Sequence, residues 1–486
     1  MKTLSQLQPQ VLWRYFDELC KIPRCSKKEQ AVIAWLEKVA RDHGVEALRD
    51  RGGNLLMRVP ATRGREQAPV VALQSHVDMV CEKNSDVTHD FSRDPIRPLV
   101  DGELVRAQGT TLGADNGIGM AAALAFLDTP DAPHGPLELL FTVDEETGLS
   151  GALAVAPDLL RARFMLNLDS EEIGVFTVGC AGGRDTQIRV RAPRTERPAL
   201  APHTLTVSGL QGGHSGTDIH KNRGNSIKIL GRLLLAAAED AGVSPLHLGA
   251  ASGGSKRNAL PREASAELAV EPRRAAALKA AITAAGERVR LELAGIDAGL
   301  RIGLEPSTAG EYADASDSLR VLRLIQALPQ GVAAMSVDLP TLVETSNNVG
   351  VLEELGDGYR LICATRSSVA PALEDLLARI DATARLAGAE PTHNDGYPGW
   401  KPNLDSPLLA RALAVYEKLY ASAGKVQAIH AGLECGLLTE KYPDLDILSY
   451  GPDIQGAHSP DERVDIATVV KMWDFTRALL NDLSRA

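Results

Sequence analysis

Apolar residues recur at intervals of three and four positions near the start of the chain, and this spacing predicts helices over residues 9–20 and 27–43. Short apolar runs then follow at 53–59 and 70–74, bounded by Gly and Pro, as is typical of buried strands. The same alternation continues with a helix over 112–126 and strands over 137–143 and 164–168. This βαβ rhythm predicts an α/β fold, with a mainly parallel sheet that has helices on both faces.

The pattern changes near Gly182, where antiparallel-looking strands and Ala-rich helices begin and continue to about residue 395. A Gly- and Pro-rich stretch, 394–403, resembles a linker, and a helix over 407–420, a strand over 447–450 and a helix over 466–483 follow it. We therefore expect an inserted α+β lid or dimerisation domain. The predicted domains are residues 1–181 (catalytic, first part), 182–395 (lid) and 396–486 (catalytic, second part).

The length of 486 residues independently favours two domains over one core. The formal net charge of −11 argues against a nucleic-acid partner, because phosphates are neutralised by a basic face. No apolar run approaches a membrane span, and the first ten residues lack the apolar segment of a signal peptide. These features predict a cytoplasmic protein with no membrane partner.

The six cysteines are dispersed and show no C-x-x-C pair. We therefore expect reduced, mostly buried thiols. The positions are Cys20, Cys25, Cys81, Cys180, Cys363 and Cys435.

Histidine and carboxylate side chains fall where predicted strands end. His76, with Asp78 two residues later, follows the strand at 70–74, and the acids Glu145 and Glu146 follow the strand at 137–143. Asp169 comes after a third strand, and the segment after a fourth leads to His458. Taken singly, each has an ordinary structural explanation, such as a strand-end polar pair, a solvated turn or, for Asp115, a helix cap. Their joint placement at the edge where α/β sheets bind ligands predicts a metal site.

Two divalent ions that share a water can lower its pKa and stabilise the oxyanion formed at a carbonyl. Asp115, with its short side chain, is the candidate bridge; His76 with Asp169 would complete one site, and Glu146 with His458 the other. Imidazole and carboxylate ligands suit zinc, with cobalt or manganese as substitutes. Glu145 is then the candidate general base, and Asp78 would accept a hydrogen bond from His76 and fix its tautomer.

The set H-x-D, T-L-G-A-D-N-G, D-E-E-T-G, N-L-D and a late G-A-H resembles the aminoacylase and carboxypeptidase-like family of co-catalytic zinc peptidases. The likeness covers nearly the whole chain and is greatest to the bacterial cytosolic aminoacyl-histidine dipeptidases, including S-G-G-S-K-R-N-A at 252–259 and H-A-G-L-E-C-G at 430–436. The resemblance implies the same metal ligands, the same base and a dipeptide substrate.

The resemblance also implies that His214, in the Gly-rich turn 211–216, stabilises the developing oxyanion, often in the neighbouring subunit, so that a homodimer is expected. An exposed histidine on a tight hairpin is the alternative.

Asn258 and Arg366 are candidates for substrate binding, with Arg366 clamping a terminal carboxylate. Glu434 is a candidate partner of the substrate amine; a surface salt bridge and a solvated loop acid are the respective alternatives for Arg366 and Glu434. His220 and His430 are undecided.

Three functions are compatible with the sequence. The first is a dipeptidase that acts on dipeptides, including those that end in histidine. The second is an N-acyl amino acid deacylase that uses the same two-metal site. The third is a non-catalytic metal- or partner-binding protein, against which an intact Glu145 argues, because holding a metal requires no base.

Overall fold

The computed structural model describes residues 3–308 and 310–485. The chain forms two compact units. The first unit comprises Met1–Cys180, Trp400–Ala428 and Leu433–Ala486, and the second comprises Ala181–Gly399 and Ile429–Gly432. No pattern in the sequence indicated the return of residues 429–432 to the second unit. The division into a catalytic domain and a lid domain stays a prediction, since compactness alone assigns neither role.

Twenty-three strands are found among the described residues. Up to Cys180 they are β1 (Glu46–Arg49), β2 (Leu55–Val59), β3 (Val71–His76), β4 (Pro98–Asp101), β5 (Leu104–Ala107), β6 (Leu137–Thr142), β7 (Phe164–Asn167) and β8 (Val175–Cys180). The next are β9 (Gly182–Arg191), β10 (Arg194–Glu196), β11 (Ala201–Ser208), β12 (Leu246–Gly253), β13 (Ala264–Val270), β14 (Arg301–Pro306), β15 (Glu311–Ala313), β16 (Gly331–Met335), β17 (Val343–Leu355), β18 (Gly358–Ser367) and β19 (Glu390–His393). The last are β20 (Lys425–Ile429), β21 (Asp446–Ser449), β22 (Ile454–Gln455) and β23 (Arg463–Asp465).

Twelve α-helices are found among the described residues. They are α1 (Gln10–Cys20), α2 (Gln30–Asp42), α3 (Ala114–Ala125), α4 (Glu145–Gly148), α5 (Ser150–Ala154), α6 (Ser226–Leu235), α7 (Ala275–Leu293), α8 (Ala315–Ala327), α9 (Ala370–Leu386), α10 (Pro407–Tyr420), α11 (Glu434–Lys441) and α12 (Ile466–Leu483). A search of the described helices finds none long and apolar enough to cross a membrane.

The main sheet of the first unit has eight strands in the order β1-β2-β6-β3-β7-β21-β8-β20. The central pairs β6–β3, β3–β7 and β7–β21 are parallel, whereas β1–β2, β2–β6 and β21–β8 are antiparallel. The α/β fold class is confirmed, and the parallel strands occupy the centre of a mixed sheet. All six residues of β3 and of β6 are buried, as expected for strands covered on both faces.

Helix α3 packs against β3 and α1. It is apolar nearly all round, and Ile118, Met120 and Leu124 are fully buried, so it forms part of the core of the first unit. Its first turn is irregular: Gly113 precedes it in the left-handed region at φ +70°, and Asp115 and Asn116 have non-helical backbone angles. The regular helix therefore begins after Asn116, beyond Asp115, for which the sequence allowed the role of a helix cap.

The second unit is built on a nine-stranded sheet in the order β14-β11-β13-β12-β17-β18-β9-β19, with β16 paired to β17. Neighbouring strands of this sheet pair antiparallel. Helices α6, α7, α8 and α9 contribute their apolar faces to a separate core. Its α+β pattern agrees with the pattern read from residues 182–395.

The prediction that the cysteines are reduced thiols is wrong for one pair. Cys25 and Cys81 form a disulfide with a Cα–Cα distance of 5.7 Å, whereas Cys20, Cys180, Cys363 and Cys435 are free and buried. The two partners are 56 residues apart, and they meet because Cys25 lies alongside Met79 in an isolated parallel bridge. A pairing that depends on how two distant segments dock leaves no trace in local cysteine spacing.

Candidate active site

Strand ends of the first unit place the predicted ligands at one edge of its sheet. β3 ends at His76, β6 is followed by Glu145 and Glu146 in α4, and β7 is followed by Asp169. Because β6, β3 and β7 are parallel neighbours, their carboxyl ends lie side by side. The segment after β21 brings His458 to the same place.

Asp115 lies between the two histidines. Its Oδ1 is 2.9 Å from His76 Nε2, and its Oδ2 is 3.1 Å from His458 Nε2. His76 Nε2 is also 3.3 Å from Oδ1 of Asp169, and His458 Nε2 is 2.9 Å from Oε2 of Glu146. The two oxygens of one carboxylate therefore face two separate histidine–carboxylate pairs.

The donor set of this cluster fits two divalent cations. The ligand atoms of His76, Asp115 and Asp169 lie within 4.8 Å of one another, as do those of Asp115, Glu146 and His458. Asp115 is common to both groups. Oε1 of Glu146 is buried and has no hydrogen-bond partner among the described residues, so it is available to a cation. Imidazole nitrogen and carboxylate oxygen are ligands that zinc accepts.

The acids hold the two histidines in their charged form in the metal-free protein. Burial would lower the pKa of His76, but the charge of Asp169 and the hydrogen bonds to Asp115 and Asp169 raise it well above its ordinary value. Hydrogen bonds to Asp115 and Glu146 raise the pKa of His458 to about 11. Burial would raise the pKa of Asp115, yet its hydrogen bonds with the two histidines lower it. In the metal-free protein, the protons on His76 and His458 thus offset part of the negative charge of the neighbouring carboxylates, as bound cations would.

Asp78 is fully buried beneath His76, and its Oδ1 lies 3.3 Å from His76 Nδ1. The carboxylate accepts hydrogen bonds from the backbone N–H groups of Glu145 (3.0 Å) and Glu146 (3.2 Å) and from the Ser26 hydroxyl (2.7 Å). Burial opposes its charge, but the hydrogen bond and charge of His76 lower the pKa of Asp78 to about 2. Asp78 therefore connects the imidazole to the backbone of the two glutamates.

Glu145 stands beside the ligand cluster, and its carboxylate lies within 4.8 Å of ligand atoms of His76 and Glu146. Burial and the neighbouring acids Asp169 and Glu434 raise the pKa of Glu145 well above its ordinary value. The carboxylate therefore stands where it could exchange a proton with a water held beside the ligands.

Three side chains around the cluster were missed by the sequence analysis. The Asn116 amide donates a hydrogen bond to Asp169. Arg24 and Glu462 are both 2% exposed and hydrogen-bond to the backbone on either side of Gly113. Arg24 and Glu462 lie in polar segments and do not follow a predicted strand. Nothing in the local sequence therefore distinguished them from charged residues exposed to solvent.

His214 lies in the second unit, on a loop whose backbone pairs with the loop that carries Asn258. The N–H of Ser215 donates to the carbonyl of Asn258 at 2.8 Å, and His214 bridges to Ala259. Nδ1 of His214 accepts the backbone N–H of Thr217 at 3.1 Å, which assigns the proton of the neutral ring to Nε2. Burial and the charge of Arg366 lower the pKa of His214. The ring is therefore neutral near pH 7 and presents an Nε2–H donor.

Arg366, on β18, is 7% exposed, so it is not a surface salt bridge. One guanidinium nitrogen donates to the Tyr397 hydroxyl at 2.7 Å, and Nε is buried without a hydrogen-bond partner among the described residues. His430, which the sequence left undecided, belongs to this cluster and is hydrogen-bonded to Ser346 at 2.7 Å. Burial and the charge of Arg366 lower the pKa of His430 to about 3, so it is neutral. Asn258 is exposed.

Glu434 lies in the first unit, at the first position of α11, and is 1% exposed rather than a solvated loop acid. Its Oε2 accepts hydrogen bonds from Gln74 at 2.6 Å and Thr142 at 2.8 Å, while Oε1 is buried without a partner among the described residues. Burial raises the pKa of Glu434 to about 7.

The sequence profile of peptidase family M20/M25/M40 matches residues 72–482. The chain belongs to this family. Across 486 residues, and 99% of each chain, it is 42% identical to the cytosol non-specific dipeptidase of Escherichia coli (strain K12). The crystal structure of an aminoacylhistidine dipeptidase from Vibrio alginolyticus superposes with a TM-score of 0.91 at 41% identity, over 99% of this chain and 98% of the other.

More distant structures share only the fold of the family. A tripeptidase from Staphylococcus aureus has a TM-score of 0.57 at 16% identity, covering 99% of this chain and 100% of the other. Membership of the M20/M25/M40 family confirms the resemblance to metallopeptidases that the spaced His, Asp and Glu residues indicated.

Proposed function

We propose that this chain hydrolyses dipeptides, including those that end in histidine, at the edge of the sheet in its first unit. The position of Asp115 is the observation that carries the proposal, because its two oxygens face His76 and His458 separately. The names of the E. coli and Vibrio relatives, a non-specific dipeptidase and an aminoacylhistidine dipeptidase, support the substrate class.

Five side chains would hold two divalent cations, which we propose to be zinc, with cobalt or manganese as substitutes. His76 and Asp169 would hold one cation, Glu146 and His458 the other, and Asp115 would bridge them. When bound, the pair would lower the pKa of a water molecule and stabilise negative charge on the substrate carbonyl oxygen.

The protein side chains supply the remaining steps. Glu145 would accept the proton of the attacking water and return it to the leaving amine, since its carboxylate lies within 4.8 Å of ligand atoms of His76 and Glu146. Asp78 positions His76 and, through two backbone N–H groups, the segment that carries Glu145 and Glu146.

The remaining residues would recognise the substrate. We assign to His214 a hydrogen bond from its Nε2–H to the oxyanion that forms at the scissile carbonyl, and to Asn258 a supporting polar contact. Within the described part of the chain, Arg366 has an unpaired Nε–H for the terminal carboxylate, and Glu434 has an unpaired oxygen for the free amine. A homodimer and a cytoplasmic location remain predictions; sedimentation of the purified protein and fractionation of cells would test them.

Kinetics on three sets of compounds tests the substrate class: β-alanyl-histidine, simple dipeptides and N-acetyl amino acids. We expect turnover of the first two sets. Hydrolysis restricted to the acetylated set would show instead an N-acyl amino acid deacylase, and no hydrolysis of any set by the metal-loaded protein would favour a binding protein.

Replacing Glu145 with Gln tests the mechanism. Because general-base catalysis contributes about 10²–10⁴-fold, we expect kcat to fall by that factor while two metal ions per chain remain by elemental analysis. Glu103→Gln, at an exposed position of the same unit, is the control and should keep wild-type kcat. Wild-type kcat in Glu145→Gln would eliminate Glu145 as the base.

A further inference from the structure

The backbone that leads to Asp115 is held from one side by a buried carboxylate. Glu462 is 2% exposed, and its two oxygens accept four consecutive backbone N–H groups. Oε2 accepts those of Leu112 at 2.7 Å and Gly113 at 2.9 Å. Oε1 accepts those of Ala114 at 2.7 Å and Asp115 at 3.3 Å. A buried charge that receives four hydrogen bonds fixes the donors as firmly as they fix the charge.

The same backbone is held from the other side by a buried cation. Arg24 donates to the carbonyl of Gly113 at 2.5 Å through one nitrogen. Its other terminal nitrogen donates to the carbonyls of Val77 at 3.0 Å and Asp78 at 2.9 Å, directly after β3. Arg24 therefore ties the segment that carries Asp115 to the strand that carries His76.

Gly113 has its N–H bound to Glu462 and its carbonyl bound to Arg24. Its φ of +70° belongs to the left-handed region, and a Cβ atom there would lie 2.5 Å from the Arg24 guanidinium and 2.8 Å from the sulfur of Met79. The packing of Arg24 and Met79 against Gly113 therefore leaves no space for a side chain at this position.

Glu462 also belongs to the segment that carries His458. A turn connects the two residues: the N–H of Ser459 donates to the carbonyl of Gly456, and the N–H of Glu462 donates to the carbonyl of Ser459. Glu462 then leads directly into β23, which pairs with β5. One buried side chain thus joins the His458 turn to the Asp115 segment.

We propose, on the basis of the metal roles assigned above, that Glu462 is a positioning residue that sets the distance between Asp115 and His458, with Arg24 as its counterpart on the His76 side. The four hydrogen bonds described above join Glu462 to backbone N–H groups, and we assign it no part in proton transfer. It acts by fixing the backbone from which the bridging carboxylate extends, and so determines how tightly the cation pair is bound.

Replacing Glu462 with Gln tests the proposal. The amide keeps the shape of the side chain, but its NH₂ group would face two of the four N–H donors, and the charge next to Arg24 would be lost. Loss of an outer partner of a metal site lowers metal affinity by about 10–100-fold. We expect that loss when the metal-free protein is titrated with Zn²⁺ alone against a chromophoric chelator.

Further readouts separate positioning from general destabilisation. With Zn²⁺ raised to saturation, we expect E462Q to recover kcat to within a few-fold of wild type with an unchanged KM, because the reacting groups are intact. The matched control is Asp461→Asn, which changes the exposed acid immediately before Glu462. This variant should bind Zn²⁺ as tightly as wild type. A lower Tm of the metal-free protein without a change in Zn²⁺ affinity would overturn the proposal.

Two results separate this proposal from the proposed function. If the wild-type chain binds no Zn²⁺, the metal roles themselves fail. If wild type and E462Q bind Zn²⁺ equally, only the role of Glu462 fails. Should E462Q not fold, Glu462→Asp replaces it, since the shorter carboxylate keeps the charge but reaches fewer of the four amides; wild-type affinity in that variant would also overturn the proposal.

Discussion

The Nδ1 atom of His214 accepts the N–H of Thr217 in its own loop, and this leaves Nε2–H for the role proposed for it as an oxyanion donor. Removal of a single oxyanion donor costs about 10²–10³-fold in rate. We therefore expect His214→Ala to lower kcat by that factor while the metal content, measured by elemental analysis, is unchanged.

The control for His214→Ala is His393→Ala, a substitution on β19 of the same unit that leaves the clusters described above intact. It should retain wild-type kcat. A His214→Ala enzyme with kcat within threefold of wild type would show that another group stabilises the oxyanion.

At the scale of the element, the Cys25–Cys81 disulfide joins the segment before α2 to the segment after β3. Its neighbours Arg24 and Ser26 both hydrogen-bond to Asp78. A bridge that closes a loop of 56 residues stabilises a protein by about 4 kcal/mol in the chain-entropy account. We expect dithiothreitol to lower the Tm of the oxidised protein and its free energy of unfolding by up to this amount.

The variant Cys25→Ser/Cys81→Ser controls for other effects of the reductant. Its Tm should match that of the reduced wild type and should not respond to dithiothreitol. If alkylation of the denatured protein under non-reducing conditions labels all six cysteines, the bridge is absent from the purified protein.

Several of the long helices were predictable because their signal is local. The helix predicted over 407–420 has the bounds of α10, and that over 466–483 has the bounds of α12. Apolar spacing and a cap or Pro at the first position are sufficient there. In α3, by contrast, the first turn is determined by Arg24 and Glu462, which are remote in sequence, so the sequence placed the regular helix too early.

The placement of the candidate site residues was predictable where those residues lie at the ends of predicted strands. His76, Glu146 and Asp169 follow buried strands, and the parallel pairing of β6, β3 and β7 makes them neighbours. The groups that hold them, such as Glu462, and the buried position of Glu434 depend on tertiary contacts. The cysteine pair was missed for the same reason, and the antiparallel edges of the sheet depend on pairings that local periodicity does not encode.

At the scale of the whole molecule, metal removal should make stability depend on pH. The pKa of His458 is about 11 in the folded protein and near 6.5 in the unfolded chain. Protonated His458 therefore stabilises the folded state fully below pH 6.5, and this stabilisation is lost as the pH rises toward the folded-state pKa. Burial raises the pKa of Asp169 to about 6, so its contribution to the stability of the folded state also falls as the pH rises, but at lower pH. We therefore expect the Tm of chelator-treated protein to fall steadily from pH 6.5 to 9.5 in calorimetry.

The zinc-loaded protein is the comparison for that series. Bound cations require deprotonated histidines, so its Tm should not show the same fall, and it should exceed that of the metal-free protein throughout. A metal-free Tm that rises with pH over this interval would contradict the charged state assigned to His76 and His458.

The separation of Asp115 and His458 along the chain, 343 residues, has a consequence for biosynthesis. At a synthesis rate of 5–20 residues per second, roughly 20–70 s pass between the emergence of the two ligands. Once Asp169 has also emerged, the growing chain presents His76, Asp115, Glu146 and Asp169 without His458. On the metal roles proposed above, hydrolytic capability therefore arises late in translation, and an abortive product that stops before residue 458 would lack one of the proposed ligands of the second cation.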